Sequence, residues 1–370
     1  MLKEQYIYLR GLRHVEHTVF NVQDGLKTYK DPSNGGLYGG REVAYSSGQQ
    51  VKRSILQSLC DNLNVGMAPI TFNWEIGKDG ANMKQPFHPC NPMYVDQLIG
   101  GYMKAADKAI TIKRRSPLSI SAMRPLHPSF CELDSESTDF DRKGLPAEYN
   151  ASEEKIGIHN VRVYEVKDNK QVELSQEQLQ NWLNKNERAL PAHYYNPSQQ
   201  KRATGLFVYD VAIDLRTLFC VSTNQFEPEL STELIQKMKS EGWIVSKNVF
   251  GECLVMPEDK RKEVIPALAN ALINWRITSN QARTFSLMET FAIALSHNAN
   301  IIADAIRTER DNNSGTTVYP VIDKDVCNDV FVTLASSGYI SSELSEKAAL
   351  QKAEAKLIEM LSKFNYEHQL

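Results

Sequence analysis

The segment 205–221, GLFVYDVAIDLRTLFCV, alternates apolar side chains with a mixed set of neighbours. A half-buried β-strand has this period, because successive side chains point to opposite faces of the sheet. The apolar set consists of Phe207, Tyr209, Val211, Ile213 and Leu215. We therefore expect a central strand here, and the fold must be built around a sheet.

A helix is predicted over about 48–62. Ser47 and Gln50 have the S-x-x-Q spacing of a capping box, in which side chains satisfy the free amides at a helix start. Apolar residues then recur at helical spacing, namely Val51, Ile55, Leu56 and Leu59. A turn-rich loop with repeated glycines precedes this helix.

Further elements are predicted from the same periodicities. We expect a first strand over 5–21 with a bulge at Gly11, a helix over 231–241, a strand or hairpin over 242–256, a helix over 261–275 with Pro266 in its first turn, a strand over 284–296 and an amphipathic helix over 345–365. Residues 66–145 look like loops and short elements outside the core. The order predicts an α+β fold with a split βαβ core of ferredoxin-like or RRM-like plan, interrupted by long insertions.

Composition excludes several classes of protein. The chain has 370 residues, 42% of them hydrophobic, which can supply a core, and its formal net charge of −3 gives no overall attraction to nucleic acid. The six cysteines contain no CxxC pair, so zinc-site spacing is absent and we expect a reducing, cytoplasmic setting. No run approaches the roughly 18 apolar residues of a membrane span, and the first residues lack the apolar core of a secretion signal.

The start of the predicted helix raises a choice between two roles. First-turn amides and the positive end of a helix dipole form a natural anion site, and Lys52 and Arg53 lie just beyond that turn. The alternative is an ordinary capped helix whose basic residues are solvated. These residues alone leave both roles open.

Two other basic stretches are candidates for sugar–phosphate contacts. One is KRRSP at 113–117, joined by Arg124, and the other is TSNQARTF at 278–285, a predicted turn. Arginine and side-chain amides commonly hold a nucleic-acid backbone without reading base identity. For the first stretch a solvated surface run is the competing interpretation, and for the second it is a plain turn.

Carboxylates are the candidate catalytic groups. Asp210 and Asp214 lie four residues apart on one strand face, about 13 Å, which is too far for a two-metal site of about 4 Å, so we expect them to be solvated or paired. An acidic loop at 131–142 contains Asp134, Asp139 and Asp141. No known nucleophile, zinc, phosphate-loop or dinucleotide motif is present, so we predict no catalytic residue, metal or cofactor.

Taken together, several stretches resemble the DevR-type group of the RAMP superfamily, the backbone subunits of Cascade-like CRISPR effector complexes. The stretches, which run in the family's order across most of 5–296, are the first strand, YSSGQQVKRSIL, IKRRSPLSISAM with its acidic loop, GLFVYDVAIDLRTLF and SNQARTFSLMETFAIAL. Residues 150–200 and the tail after Asn298 match the pattern poorly.

The resemblance implies one domain over 1–370, with an RRM-like palm at about 5–65, 205–221 and 260–296. Insertions at about 66–200 and 222–258 would form a finger-like region and a thumb-like hairpin, and a helical tail would occupy about 340–366. It also implies a role in antiviral defence, as a non-enzymatic subunit that polymerises along guide CRISPR RNA and leaves the bases free to pair with target DNA or RNA. The implied partners are the guide, the target, further copies of the chain and other effector subunits.

The resemblance also implies a set of RNA-binding residues. They are Arg13, Ser47, Gly48, Gln49, Gln50, Lys52, Arg53, Arg114, Arg115, Asn280, Gln281 and Arg283. Two alternatives stay open: a related backbone subunit that cleaves target RNA with a metal and a loop aspartate (Asp134, Asp139 or Asp141), and a self-assembling structural protein that binds no nucleic acid.

Overall fold

The structure is a computed structural model of the 370-residue chain. It describes residues 4–20, 26–31, 40–77, 80–84, 86–104, 111–135, 138–139, 148–149, 155–156, 163–167, 170–186, 193–194, 201–277, 287–311, 317–334 and 342–370. These residues contain both helices and antiparallel strands, which confirms the predicted α+β class.

The strands in chain order are β1 (Tyr6–Thr18), β2 (Lys27–Asp31), β3 (Arg41–Tyr45), β4 (Trp74–Gly77), β5 (Gly80–Met83), β6 (Tyr102–Lys104), β7 (Ile112–Arg114), β8 (Leu118–Ile120), β9 (Arg124–Pro125), β10 (Cys131–Ser135), β11 (Thr138–Asp139), β12 (Glu148–Tyr149), β13 (Lys155–Ile156), β14 (Tyr164–Lys167), β15 (Lys170–Glu173), β16 (His193–Tyr194), β17 (Lys201–Asp214), β18 (Cys220–Ser222), β19 (Ile244–Asn248), β20 (Gly251–Val255), β21 (Glu289–Ser296), β22 (Ile306–Arg310), β23 (Val318–Ile322) and β24 (Val330–Val332).

The helices are α1 (Gly48–Asn62), α2 (Val95–Gly100), α3 (Gln176–Asn186), α4 (Thr232–Ser240), α5 (Glu258–Asn274), α6 (Ala299–Ala305) and α7 (Ala349–Lys363). A 3₁₀ turn covers Pro128–Phe130.

The chain divides into two compact units. The first contains Met1–Asp134 and Arg202–Leu370, and the second contains Ser135–Lys201. Within the second unit, β11 pairs with β16, β12 with β13 and β14 with β15, all antiparallel, and α3 follows β15. The second unit therefore lies almost entirely inside the segment 66–200, which the resemblance implies to be an insertion.

The first unit is built on one antiparallel sheet in the order β10–β17–β1–β21–β24, with β8 and β9 also paired to β17. Strand β1 lies between β17 and β21, and Tyr8 is paired with Ala212 on one side and Ser296 on the other. The predicted central strand is confirmed, but it ends at Asp214, and Cys220–Ser222 forms a separate strand after a turn.

One face of this sheet carries the main core. Ile7 and Leu9 of β1 and the buried odd-numbered residues of β17 point toward α1, α5 and α7. The apolar stripe of α1, predicted from its spacing, is buried at Val51, Ile55 and Leu59. Because α5 packs against both α1 and α7, the three helices form a layer over the sheet.

The opposite face is only partly covered. Leu12, Leu206 and Phe291 lie on it and pack with Ile302 of α6 and Ile306 of β22. These covering elements, together with β24 and α7, come from the tail after Asn298 that does not match the family pattern. The described part of this tail is therefore integral to the fold: β24 joins the sheet, α7 packs on one of its faces and α6 packs on the other.

Several local predictions are confirmed: α1 begins at Gly48 and ends at Asn62, α4 and α7 fall where expected, and residues 244–255 form a hairpin. Two are wrong. The register of β1 shifts between Leu12 and Arg13 and between Val15 and Thr18, not at Gly11, where a Cβ would lie 2.2 Å from Cε1 of Tyr209. Pro266 lies inside α5 because that helix already begins at Glu258.

Candidate nucleic-acid interface

The start of α1 is capped as predicted, but only half of the capping box forms. The Ser47 hydroxyl accepts a hydrogen bond from the backbone N–H of Gln50 at 3.3 Å. The Gln50 side chain does not return to Ser47; its amide donates to Ser54 Oγ at 3.3 Å. The cap fixes where the helix begins and still leaves first-turn amides available.

Two of those amides and the local charge favour an anion. The backbone N–H groups of Gly48 and Gln49 donate to no acceptor in the part of the chain that the structure describes. The first turn of α1 contains no acidic residue that would neutralise the positive end of the helix dipole. Such a helix end is suited to a phosphate group.

Close packing requires a glycine at position 48. A Cβ at this position would lie 2.6 Å from the carbonyl oxygen of Ile120 and 3.2 Å from the backbone of Ser121. Gly48, which the resemblance includes among the RNA-binding residues, thus has a structural role as well: it lets α1 approach the chain after β8. The same approach is fixed by two backbone hydrogen bonds of 2.9 Å between Ser46 and Met123.

Lys52 is the most informative side chain of this group. It is half-buried, and burial lowers the pKa of its ammonium from 10.5 to about 8. No carboxylate of the described residues lies within ion-pair distance of it. A desolvated cation without an anion is unfavourable, and a bound phosphate would relieve that cost.

Arg53 and Gln49 are exposed on the same helix. Arg53 forms no ion pair among the described residues, although it lies close enough to Asp96 to act on its pKa. Burial is the main effect on Asp96 and raises the pKa of that carboxyl, which accepts a hydrogen bond from the Ala68 amide at 3.1 Å. Arg53 is therefore a solvent-exposed cation next to Lys52 in sequence, and a contact between it and a ligand is part of the proposal below.

Arg13 must be removed from the predicted set, since only 1% of it is exposed. Its Nη1 donates to Trp275 O at 2.7 Å and its Nη2 to Ile273 O at 2.8 Å, at the carboxyl end of α5. The guanidinium also lies 4.1 Å from the centroid of the Trp275 ring. Burial lowers the pKa of this arginine, and its charge is directed to the helix end and not to solvent.

Arg114 must also be removed from the predicted RNA-binding set, because only 3% of it is exposed. It donates to the carbonyls of Leu98, Thr217 and Cys220 at 2.8–2.9 Å and pairs with Glu229 at 3.0 Å. Its neighbour Arg115 is exposed, because adjacent residues of an extended chain point to opposite sides. Only Arg115 of this pair can belong to a binding surface.

The remaining sequence candidates lie mostly outside the described residues. This holds for Asn280, Gln281 and Arg283, and for Asp141; Asp139 is described only as part of β11. Asp134 is exposed, with its carboxylate 4.0 Å from His17 Nδ1. Among the described residues, no group of three or more His, Cys, Asp or Glu side chains is placed to bind a metal ion.

The sequence patterns assign no role to Tyr6, Tyr8 and Arg10, which follow one another on one face of β1. Arg10 forms an ion pair with Asp210 at 2.6 Å, and Arg216 forms one with Asp214 at 2.8 Å. Of the two states expected for these aspartates, solvated or paired, the structure has the paired one. The sequence could have indicated this grouping, because side chains two residues apart on a strand such as β1 lie on the same side of the sheet.

No family model and no curated protein matches the chain. Solved structures similar to it include a "CRISPR RNA-guided surveillance complex, pre-nicking", with 10% identity, TM-score 0.42 and coverage of 97% of this chain and 90% of the other. A second "CRISPR RNA-guided surveillance complex" has 8% identity, TM-score 0.41 and coverage of 96% and 99%. Thermofilum pendens Csc2 has 10% identity, TM-score 0.28 and coverage of 82% and 71%.

The first two titles name CRISPR surveillance complexes, and the third names a single protein. All three TM-scores are below 0.5, so the likeness carries no weight for the function, which rests on the residues of this chain. Among the described residues, no helix is long and apolar enough to cross a membrane.

Proposed function

We propose that this chain is a non-enzymatic backbone subunit of a multi-subunit CRISPR effector complex, and that it binds guide RNA through its sugar–phosphate backbone. The observation that supports this proposal most strongly is the environment of Lys52. Its ammonium group is half-buried and has no carboxylate partner among the described residues. It follows a helix start that has no acidic residue and has two available amides. A phosphate is the ligand that satisfies all of these groups together.

The proposed binding surface consists of Ser47, Gln49, Gln50, Lys52, Arg53 and Arg115, with Asn280, Gln281 and Arg283 kept as further candidates. Contacts of this kind hold RNA without reading its sequence, which suits a subunit that must accept any guide. Specificity would then come from base pairing between guide and target.

We further propose that the main sheet with α1 and α5 is an RRM-like palm. The strand order β8–β17–β1–β21, with α1 after β1 and α5 between β17 and β21, supports this assignment. In the same proposal, copies of the chain line up along one guide together with other effector subunits, and the target is bound through the guide.

Co-expression with a guide RNA tests the proposal. Wild-type protein should purify with RNA, while the double variant K52A/R53A should lose most of it. The matched control is K237A/K239A, which removes two exposed lysines from α4. Equal RNA retention by all three proteins would reject the site, and absence of RNA from the wild type would favour the structural protein that binds no nucleic acid.

The cleaving alternative is tested with the same preparation. Incubation with a complementary target RNA and Mg²⁺ should leave the target intact. Metal-dependent cutting that disappears in D134A, D139A or D141A would replace the proposed non-enzymatic role with a nuclease.

A further inference from the structure

The sheet face opposite α1 has an open end. Because side chains alternate along β1, Tyr6, Tyr8 and Arg10 point to this face, whereas Ile7 and Leu9 point into the main core. Helix α6 covers the face near Leu12, and both tyrosines remain partly exposed beyond it. Any ligand of this face is therefore separated from the α1 site by the sheet itself.

A cavity of about 420 Å³ lies at this open end, between β1, β8, β17 and α6. Its volume is in the range of small-molecule sites in proteins, about 300–1,000 Å³. Lining side chains include Tyr8, Arg10, Ser119, Asp210, Ala212 and Ile302. The walls thus combine an aromatic ring, small apolar groups, hydroxyls and a charged pair.

The charged pair is held rigidly. Arg10 Nε donates to Asp210 Oδ1 at 2.6 Å and Nη2 donates to Oδ2 at 3.2 Å, while Nη1 donates to the carbonyls of Ala303 and Ile306. Arg124, which is exposed, lies 3.7 Å from the same aspartate. Two arginines against one aspartate leave a net charge of about +1. The more exposed arginine, Arg124, does not itself line the cavity; it reaches the lining residue Asp210 from outside, and this edge of the cavity is called its rim below.

The aromatic part is arranged for stacking. The rings of Tyr6 and Tyr8 are 5.9 Å apart at an interplanar angle of 21°, and the Arg216 guanidinium lies 5.0 Å from the Tyr6 centroid. Tyr8 is thereby supported from one side and lines the cavity. Ser119 is exposed and lines the cavity, so its hydroxyl can donate to or accept from a ligand.

We propose that this cavity binds one nucleotide unit of a single-stranded nucleic acid, with the base against Tyr8 and the phosphate at Arg124. An aromatic face, an exposed hydroxyl and a net cationic rim match the base, its polar edge and the phosphate, respectively. An apolar ligand would offer no partner to the Arg124 guanidinium or to the Ser119 hydroxyl. The site is additional to the RNA surface proposed at α1 and does not depend on it.

Photo-crosslinking tests the site directly. The probe is a single-stranded uridine octamer with one 5-iodouridine, irradiated with the nucleic-acid-free full-length protein, and crosslinked peptides are mapped by mass spectrometry. We expect a crosslink in the peptide that contains Tyr8. Y8L should reduce its yield and weaken octamer binding about tenfold, the effect of losing one base stack. Y8F keeps the ring and should behave as wild type, and R124Q should weaken binding at low salt only.

The K52A/R53A variant separates this proposal from the one at α1. The Tyr8 crosslink should persist in that variant, even if guide retention is lost. The proposal is overturned if no crosslink maps to residues 4–10, if Y8L and wild type give equal yields, or if the crosslink disappears in K52A/R53A. Thermal melting of Y8L and Y8F checks that both variants are folded.

Discussion

Gly48 at the start of α1 lies against the backbone of Ile120 so closely that a Cβ would come within 2.6 Å of the Ile120 carbonyl oxygen. The contact fixes the end of α1 against the chain after β8, and with it the positions of the capping hydroxyl and the available amides. A glycine that the family resemblance includes among the RNA-binding residues is thus used for packing between two parts of the protein.

Gly48→Ala should therefore destabilise the protein by about 1–3 kcal/mol, because a rigid backbone atom and not a flexible side chain must give way. Gly66→Ala is the matched control: a Cβ there meets nothing within 4 Å. Chemical denaturation of both variants measures the difference. A Gly48→Ala protein as stable as Gly66→Ala would show that the contact does not constrain α1.

Arg114 and Arg115 form a natural matched pair. Arg114→Gln should lower the free energy of unfolding by about 3–5 kcal/mol, because Glu229 and three backbone carbonyls lose a buried partner. Arg115→Gln should change stability by less than about 0.5 kcal/mol, as expected of a surface substitution. Urea unfolding of the two proteins tests this, and similar losses in both would contradict the assignment of Arg114 to the interior.

The lowered pKa of Lys52 gives a pH dependence with a definite sign. Between pH about 8 and its ordinary value of 10.5, the unfolded chain binds a proton at Lys52 that the folded chain has lost. Wild-type stability should therefore rise with pH in this window relative to Lys52→Met, which lacks the buried charge. At pH 7 the Lys52→Met protein should be the more stable of the two; a stability difference that is the same at pH 7 and pH 9.5 would contradict the lowered pKa.

The same pKa predicts proton uptake on RNA binding. A phosphate beside Lys52 restores its charge, so affinity should fall as pH rises above about 8. Titration calorimetry in two buffers of different ionisation enthalpy measures the proton. Lys52→Arg, which stays charged, should bind without uptake, and equal uptake by both proteins would place the titrating group elsewhere.

Helix α1 could be predicted residue by residue, because the Ser47 cap and the apolar spacing are local signals. The burial of Arg13 and Arg114 could not, since it depends on carbonyls about 260 and 105 residues away in sequence. The same holds for β24, which joins the sheet through pairing with β21, and for Gly48, whose neighbour comes from β8. A sequence shows where charge is present; the tertiary structure decides whether that charge faces solvent or a helix end.

The salt dependence of guide-RNA binding tests the central claim most directly. Each phosphate contact to single-stranded RNA contributes about 0.7 to the slope of log K against log salt. Removing two cations in K52A/R53A should therefore reduce the slope by about 1.4, whatever the guide sequence, while K237A/K239A leaves it unchanged. A slope and affinity equal to wild type in K52A/R53A would contradict the assignment of this helix start to the RNA backbone.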